Sequence, residues 1–200
     1  MRRKNLITVV VALLVSFFLT PGLVLAKNGS LKLNTSKSKV EWLGKKVTGE
    51  HTGTIKVSGG NLVLNNDEIK EGSFVVDMTT IVNTDIKDAK FKAKLEGHLK
   101  SDDFFGVEKF PESKFVITES RKLDNGNYHV KGNITIKGIT KPIDFKVNLH
   151  HHDDAVHVSG KMVIDRSKFN VRYGSGTFFD NLGDKTIYDD FELTLDLYLQ

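Results

Sequence analysis

From Lys39 onward apolar and polar residues alternate in short runs, and the last run is the clearest. Between Phe191 and Leu199 every odd position is apolar (Phe191, Leu193, Leu195, Leu197, Leu199), while Glu192, Thr194, Asp196 and Tyr198 take the other side. A period of two gives a strand with one dry face. The same alternation recurs in Phe74, Val76 and Met78, in Phe115 and Ile117, and in Tyr128, Val130, Ile134 and Ile136. It continues through Ile143, Phe145, Val147 and Leu149, then Val156, Val158, Met162 and Ile164. Turn-forming stretches separate the runs: Asn65-Asn66-Asp67, Asp124-Asn125-Gly126-Asn127, Lys137-Gly138-Ile139-Thr140 and Asp153-Asp154. The pattern predicts an all-β antiparallel meander of about eight strands. A sandwich and a closed up-and-down barrel both satisfy it. The barrel is favoured, because one dry face per strand suits a single sheet closed in water and closure removes exposed edges.

One segment breaks the period. From Asp85 to Leu99, Ile86, Phe91, Leu95 and Leu99 fall on a helical stripe, with Thr84 or Asp85 as N-cap and lysines interspersed outside. This predicts one short amphipathic helix across the mouth or side of the barrel. It leads into His98–Phe115, where Phe104, Phe105, Phe110 and Phe115 sit beside paired acids and Pro111. Each ring is worth roughly 1.5–3 kcal/mol when buried, so the segment must pack. It is either a core plug under the sheet or the closure of one end of a ligand cavity. Gly53, Gly132 and Gly160 share the inward parity of their strands. They serve either as bends that let a small sheet close or as volume left free for a ligand.

The N-terminus reads as a secretory signal peptide over residues 1–26, with an uncleaved anchor as the alternative if Leu23 to Leu25 extend the apolar run across Pro21-Gly22. Arg2, Arg3 and Lys4 form the basic head, Leu6 to Leu19 the apolar run, and Val24-Leu25-Ala26 the cleavage region. Residues 27–200 then form one domain. Removing the three basic residues leaves 26 Lys and Arg against 25 Asp and Glu, a net charge of about +1 that argues against a nucleic-acid partner. With no cysteine there is neither a disulfide framework nor a thiol nucleophile.

The inward set is almost wholly hydrocarbon and aromatic, so a ligand must be apolar along most of its length; a sugar, peptide or nucleotide would lack polar partners. His98 is either a boundary residue of the helix or a hydrogen-bond donor to a ligand's head. Arg166 is either a surface arginine or a fixed cation for a phosphate or carbonyl. His150, His151 and His152 with Asp153 and Asp154 resemble a metal tract, and a turn at Asp153-Asp154 would set His150 opposite His157 on the outer face. Alternation sends neighbouring histidines to opposite faces, so no metal site is assigned. Ser101, His98 and Asp102 lack a nucleophile-elbow pattern, and no phosphate loop occurs.

The segment D-D-F-F-G-V-E-K-F-P-E-S-K-F, with G-E-H-T-G-T-I around His51 and N-I-T-I-K-G-I-T-K-P-I from Asn133 to Ile143, resembles the YceI-like family of lipocalin-type proteins. The resemblance runs from Ser38 to Leu199. In R-S-K-F-N at Arg166 to Asn170, Asn170 stands where the family has glycine, which a left-handed backbone accommodates. The resemblance implies a lipocalin-like barrel whose hydrophobic tunnel holds a polyisoprenoid or isoprenoid-quinone lipid. It implies a carrier or store in the periplasm or outside the cell, with no catalysis and no cofactor.

The expected ligand-binding set is Trp42, Phe74, Val76, Met78, Phe91, Leu95, His98, Phe104, Phe105, Phe115, Ile117, Ile134, Phe145, Val147, Met162, Arg166 and Phe169. The expected partner is the lipid itself, with at most transient membrane contact, and a homodimer is left open. The alternative function is exported metal binding or stress protection through the surface histidines.

Overall fold

The computed structural model describes residues 28–152 and 155–200. The expected signal peptide and the Asp153-Asp154 turn lie outside the described residues. The strands are β1 (Gly29–Lys32), β2 (Lys39–Lys46), β3 (Gly49–Asn65), β4 (Glu68–Asn83), β5 (Glu112–Lys122), β6 (Asn127–Ile136), β7 (Ile139–His152), β8 (Ala155–Asp165) and β9 (Ile187–Leu199), with helix α1 (Ala89–Lys100) after β4. Each strand from β2 to β9 pairs antiparallel with the next, and β9 pairs back onto β2, so eight strands close into an up-and-down barrel. Short β1 lies against the far half of β3, Leu31 opposite Leu62, and Lys32 exchanges two backbone hydrogen bonds with Gln200.

Two ends with different packing result. At one end the turn at Asn66 and Asp67, both left-handed, joins β3 to β4. Leu62, Leu64, Ile69, Tyr128, Leu149, Val156 and Leu199 fill the bore there, each at most 5% exposed. The Tyr128 hydroxyl donates to the Asp67 carbonyl, and burial raises its pKa. This end is sealed. At the other end sit α1, the phenylalanine-rich segment, the Lys137-Gly138 turn and a long connection from Arg166 to Thr186.

The helix starts later than the apolar stripe predicts. Asp85 is already committed to β3: its carboxylate accepts from the Thr52 amide, Asn83 Nδ2 and His51. Burial raises the Asp85 pKa, but those hydrogen bonds outweigh it and hold the group below its ordinary value. Capping therefore passes to Asp88, which accepts from the Lys90 and Phe91 amides. No residue of α1 is fully buried, and Phe91 is 63% exposed, so the expected stripe does not form a buried face. The helix is anchored instead where Glu96 accepts from the Asn83 amide and where Leu99 reaches the barrel interior.

The inward glycines settle both sequence alternatives in a third way. A Cβ on Gly53 would fall 2.4 Å from the Trp42 ring opposite it, one on Gly60 2.5 Å from Phe74, and one on Gly132 2.5 Å from Phe115. The space vacated at Gly53, Gly60 and Gly132 is filled by an aromatic ring of the adjoining strand, whereas a Cβ on the third expected glycine, Gly160, would meet the Lys146 carbonyl at 2.8 Å and Val147 at 3.1 Å, a close backbone approach. Lying over glycine, the ring hugs the wall and does not project across the bore. We expect Gly132→Ala, whose Cβ also meets the Val116 carbonyl at 2.5 Å, to destabilise by about 1–3 kcal/mol in chemical denaturation. Gly59→Ala, where a Cβ meets nothing within 4 Å, should change stability by less than about 0.5 kcal/mol.

Candidate functional site

Burial along β9 locates a void. Leu199 and Leu197 are buried, whereas Leu195, Leu193 and Phe191, on the same inward parity, are only half-buried. The same step occurs on β7, from buried Leu149 and Val147 to half-buried Phe145 and Ile143. These side chains point into the barrel yet lack neighbours on one side.

The void has two chambers. The lower, about 750 Å³ of atom-free space with adjoining open solvent included, is lined by Phe74, Val76, Phe115, Ile117, Ile134, Phe145, Val147 and Met162 among others. The upper, about 850 Å³ counted to its opening, is lined by Trp42, Val76, Met78, Leu99, Phe104, Phe105, Ser113, Ile134, Arg166 and Phe191 among others. Val76, Ile134 and Leu193 belong to both walls, so the chambers adjoin in tandem along the bore. The upper chamber reaches the surface beside Lys45 and half-exposed Tyr188, where the β2–β9 register shifts between Gly44 and Lys46.

Of the expected residues, Trp42, Phe74, Val76, Met78, Phe104, Phe105, Phe115, Ile117, Ile134, Phe145, Val147, Met162 and Arg166 line a chamber. Four do not. Phe91 points to solvent, and Leu95 is half-buried away from the bore. His98 stands behind the lid, edge-on to Phe104 at 5.2 Å and to Tyr173 at 4.3 Å. Phe169 is buried, but in the apolar cluster with Ile164 and Val171, on a 3-10 turn packed against β7 and β9. It plugs the upper flank, where only Lys146–His152 of β7 pair with β8. Asn170, which ends that turn, is left-handed, as the sequence expectation requires.

The lid is made by the phenylalanine-rich segment. Phe104 is 7% exposed, while Phe105 is half-buried against the upper chamber and edge-on to Phe191 at 6.1 Å. Lys137 ties the lid down: its ammonium donates to the carbonyls of Asp102 at 2.8 Å, Phe104 at 2.7 Å and Asn170 at 3.5 Å. Burial lowers the Lys137 pKa, against the opposing pull of Asp102 and Asp103. Ser101 Oγ donates to the His98 carbonyl at 2.8 Å, closing the helix end.

Arg166 is not a surface residue; it is 3% exposed. Its guanidinium donates to the carbonyls of Tyr188, Val171 and Ile187 at 2.8–3.1 Å and lies 3.3 Å from Asp189 Oδ1. Desolvation lowers its pKa, and Asp189 opposes that shift. The fork holds the Val171–Tyr188 connection to the barrel, so the charge is spent within the protein. The upper chamber is also lined by residues outside the expected set: Leu99, Ser113, Ile187 and Tyr188, together with Gly44, Lys45, Ile55, Ile81, Ile136, Ile164, Phe191 and Leu193. Ser113 shares the parity of Phe115 and Ile117 and was legible; Ile187 and Tyr188, at the start of β9, carried no periodic signal.

Residues 31–199 match the YceI-like domain. The chain belongs to the YceI-like family. Among curated relatives, a UPF0312 protein of Photorhabdus laumondii is 38% identical over 86 residues, covering 40% of this chain and 44% of that protein. One of Yersinia enterocolitica is 36% identical over 87 residues, with the same coverage of each chain. The chain thus spans under half the length of these relatives. The family fold recurs in solved structures. BcnA of Burkholderia cenocepacia superposes with a TM-score of 0.68 at 21% identity, covering 83% of this chain and 98% of that one. A polyisoprenoid-binding domain from Saccharophagus degradans gives 0.64 at 14% identity, covering 87% and 99%.

The two lid rings should respond differently to truncation. Phe104→Ala removes a packed ring and should cost about 3–5 kcal/mol in chemical denaturation. Phe105→Ala, whose ring already faces empty space, should cost clearly less, about 1–2 kcal/mol. Equal losses would mean that no void adjoins Phe105.

Proposed function

We propose that this protein binds an isoprenoid lipid, a polyprenyl chain or an isoprenoid quinone, inside its barrel. It carries or stores the lipid, without turnover, in the periplasm or outside the cell. The observation that carries the reading is the pair of adjoining chambers walled by hydrocarbon and aromatic side chains, closed at one end and opening at the other. A long apolar chain gains about 0.8 kcal/mol for each CH₂ it buries there, and a compact polar ligand would lose hydration without replacement. The Saccharophagus domain, described as polyisoprenoid-binding, has the same fold and supports this choice of ligand. The signal-like residues 1–26 support export.

The histidine patch does not support a second reading. His150 lies opposite His157, but His157 Nε2 is hydrogen-bonded to Asp196 at 2.5 Å and His151 lies 3.2 Å from Asp67. Among the described residues no group of three or more metal-ligating side chains comes together.

Native mass spectrometry of protein purified from its own host should show a co-purified isoprenoid. Delipidated protein should then rise in melting temperature by about 5–10 °C with a polyprenyl phosphate or a quinone at about 100 times its Kd. Absence of both effects rejects the proposal. Leu193→Trp, which fills the junction between the chambers, should abolish most of that rise.

A further inference from the structure

Among the described residues, every large apolar side chain left exposed belongs to the open end of the barrel. Val47 is in the β2–β3 turn, Val82 lies at the end of β4, Phe91 is on α1, and Val163 is two residues from the end of β8. Tyr173 and Phe179 are in the 166–186 connection, and Tyr188 is at the start of β9. Single exposed apolar residues are ordinary on any protein surface, but their confinement to one end is not. The sealed end shows none among the described residues.

Helix α1 adds charge to this end, because its two faces differ. Lys92, Leu95, Glu96 and Leu99, spaced i, i+3, i+4 and i+7, are half-buried. Lys90, Phe91 and Lys94, with Lys87 just before the cap, make the opposite stripe and are exposed, Phe91 at 63%. The carboxylates of the segment are already held: Asp85 by the Thr52 amide, Asn83 and His51, Asp88 by the first helical amides, and Glu96 by the Asn83 amide. Lys92 lies 4.0 Å from Glu96, whereas Lys87, Lys90 and Lys94 form no ion pair among the described residues. The segment also borders the upper chamber at both ends. Asp85 bonds to His51, which pairs with Gly44, and Gly44 and Leu99 are both in the chamber wall. Across the opening, the Val47 amide donates to the Thr186 carbonyl at 3.1 Å, which sets the β2–β3 turn beside the start of β9.

We propose that the open end docks on a bilayer surface carrying anionic phospholipid, with Phe91, Val47 and Tyr188 at headgroup depth and Lys87, Lys90 and Lys94 against the phosphates. The choice of a bilayer rests on the lipid-binding reading above, since an isoprenoid ligand resides there and would pass into the barrel without crossing water. The chemistry of the face agrees. Lysine is depleted from the cores of protein interfaces, and here it separates the apolar groups and breaks up any continuous dry patch. At a bilayer the same spacing is favourable: lysine stems lie along apolar surface while the ammonium reaches phosphate, and aromatic rings settle at the interface. Each such lysine adds roughly 5-fold to the affinity for an anionic surface, so three lysines and one ring give a reversible attachment.

The test is vesicle co-sedimentation of the protein purified from its own host. It should bind vesicles of phosphatidylcholine with about 30% phosphatidylglycerol, bind pure phosphatidylcholine far less, and be released as salt rises from about 0.05 to 0.5 M. Changing Lys87, Lys90 and Lys94 together to Gln should weaken binding roughly 30- to 100-fold, and Phe91→Ala roughly 5- to 10-fold. Changing Lys32, Lys37 and Lys122 to Gln removes the same charge from the sealed end and should leave binding within about 2-fold. In Phe91→Trp the added indole emission should shift to the blue on vesicle binding. Equal binding to both vesicle types, equal losses in the two triple variants, or an unshifted Phe91→Trp emission overturns the proposal. A photo-crosslinker at position 91 that joins to a protein in the host and never to lipid also overturns it, in favour of an acidic protein partner. The lipid-binding reading is judged separately, by the isoprenoid co-purifying with the same sample, so either can fail while the other stands.

Discussion

Everything in this protein depends on the ladder between its first and last long strands. β2 and β9 lie about 150 residues apart in sequence and pair from Lys39↔Asp196 to Lys46↔Ile187, turning an open meander into a barrel. Closure removes the edges that a sheet would otherwise offer to other chains. It also fixes the circumference at eight strands, near the size at which inward side chains either just fill the interior or leave room for one molecule. Whether the barrel is solid or hollow is then decided by small differences in side-chain volume and direction, not by the backbone.

Those differences are graded along the axis. Near β1 the bore is filled by aliphatic side chains and Tyr128, whose hydroxyl is satisfied by a turn carbonyl. Higher up, Trp42, Phe74 and Phe115 are large inward groups that would obstruct the bore if they stood upright. Each lies over a glycine of the neighbouring strand, which keeps aromatic surface on the wall and space at the centre. The glycines thus keep the bore open through the rings they let lie flat.

The open end is held by polar groups that bind backbone. Lys137 gathers carbonyls from the lid and from Asn170, and Arg166 gathers carbonyls from both ends of the Val171–Tyr188 connection. Arg166 is buried and Lys137 partly so, and burial lowers the pKa of each. Such fully engaged charges rigidify irregular chain that has no ladder of its own, at the cost of desolvation. The lid phenylalanines can then face a cavity on one side because the other side is fastened.

The alternation along the chain determined the antiparallel strands, their inward faces and most of the chamber lining, since a period of two leaves each side chain only two directions. The phenylalanine-rich motif determined where the lid lies. The helix stripe misled at Phe91, because Asp85 bonds across to β3 and shifts the helix start, a contact between residues 34 apart that no local pattern encodes. The fates of Arg166, Phe169 and His98 were likewise hidden, as the first two lie on a short 3-10 turn tied to distant carbonyls and strands, and His98, on α1, meets rings of Phe104 and Tyr173 from irregular chain. Only the tertiary structure decided that the interior is hollow above and packed below, because a void is the difference between the space that closure encloses and the volume that side chains from every strand occupy together.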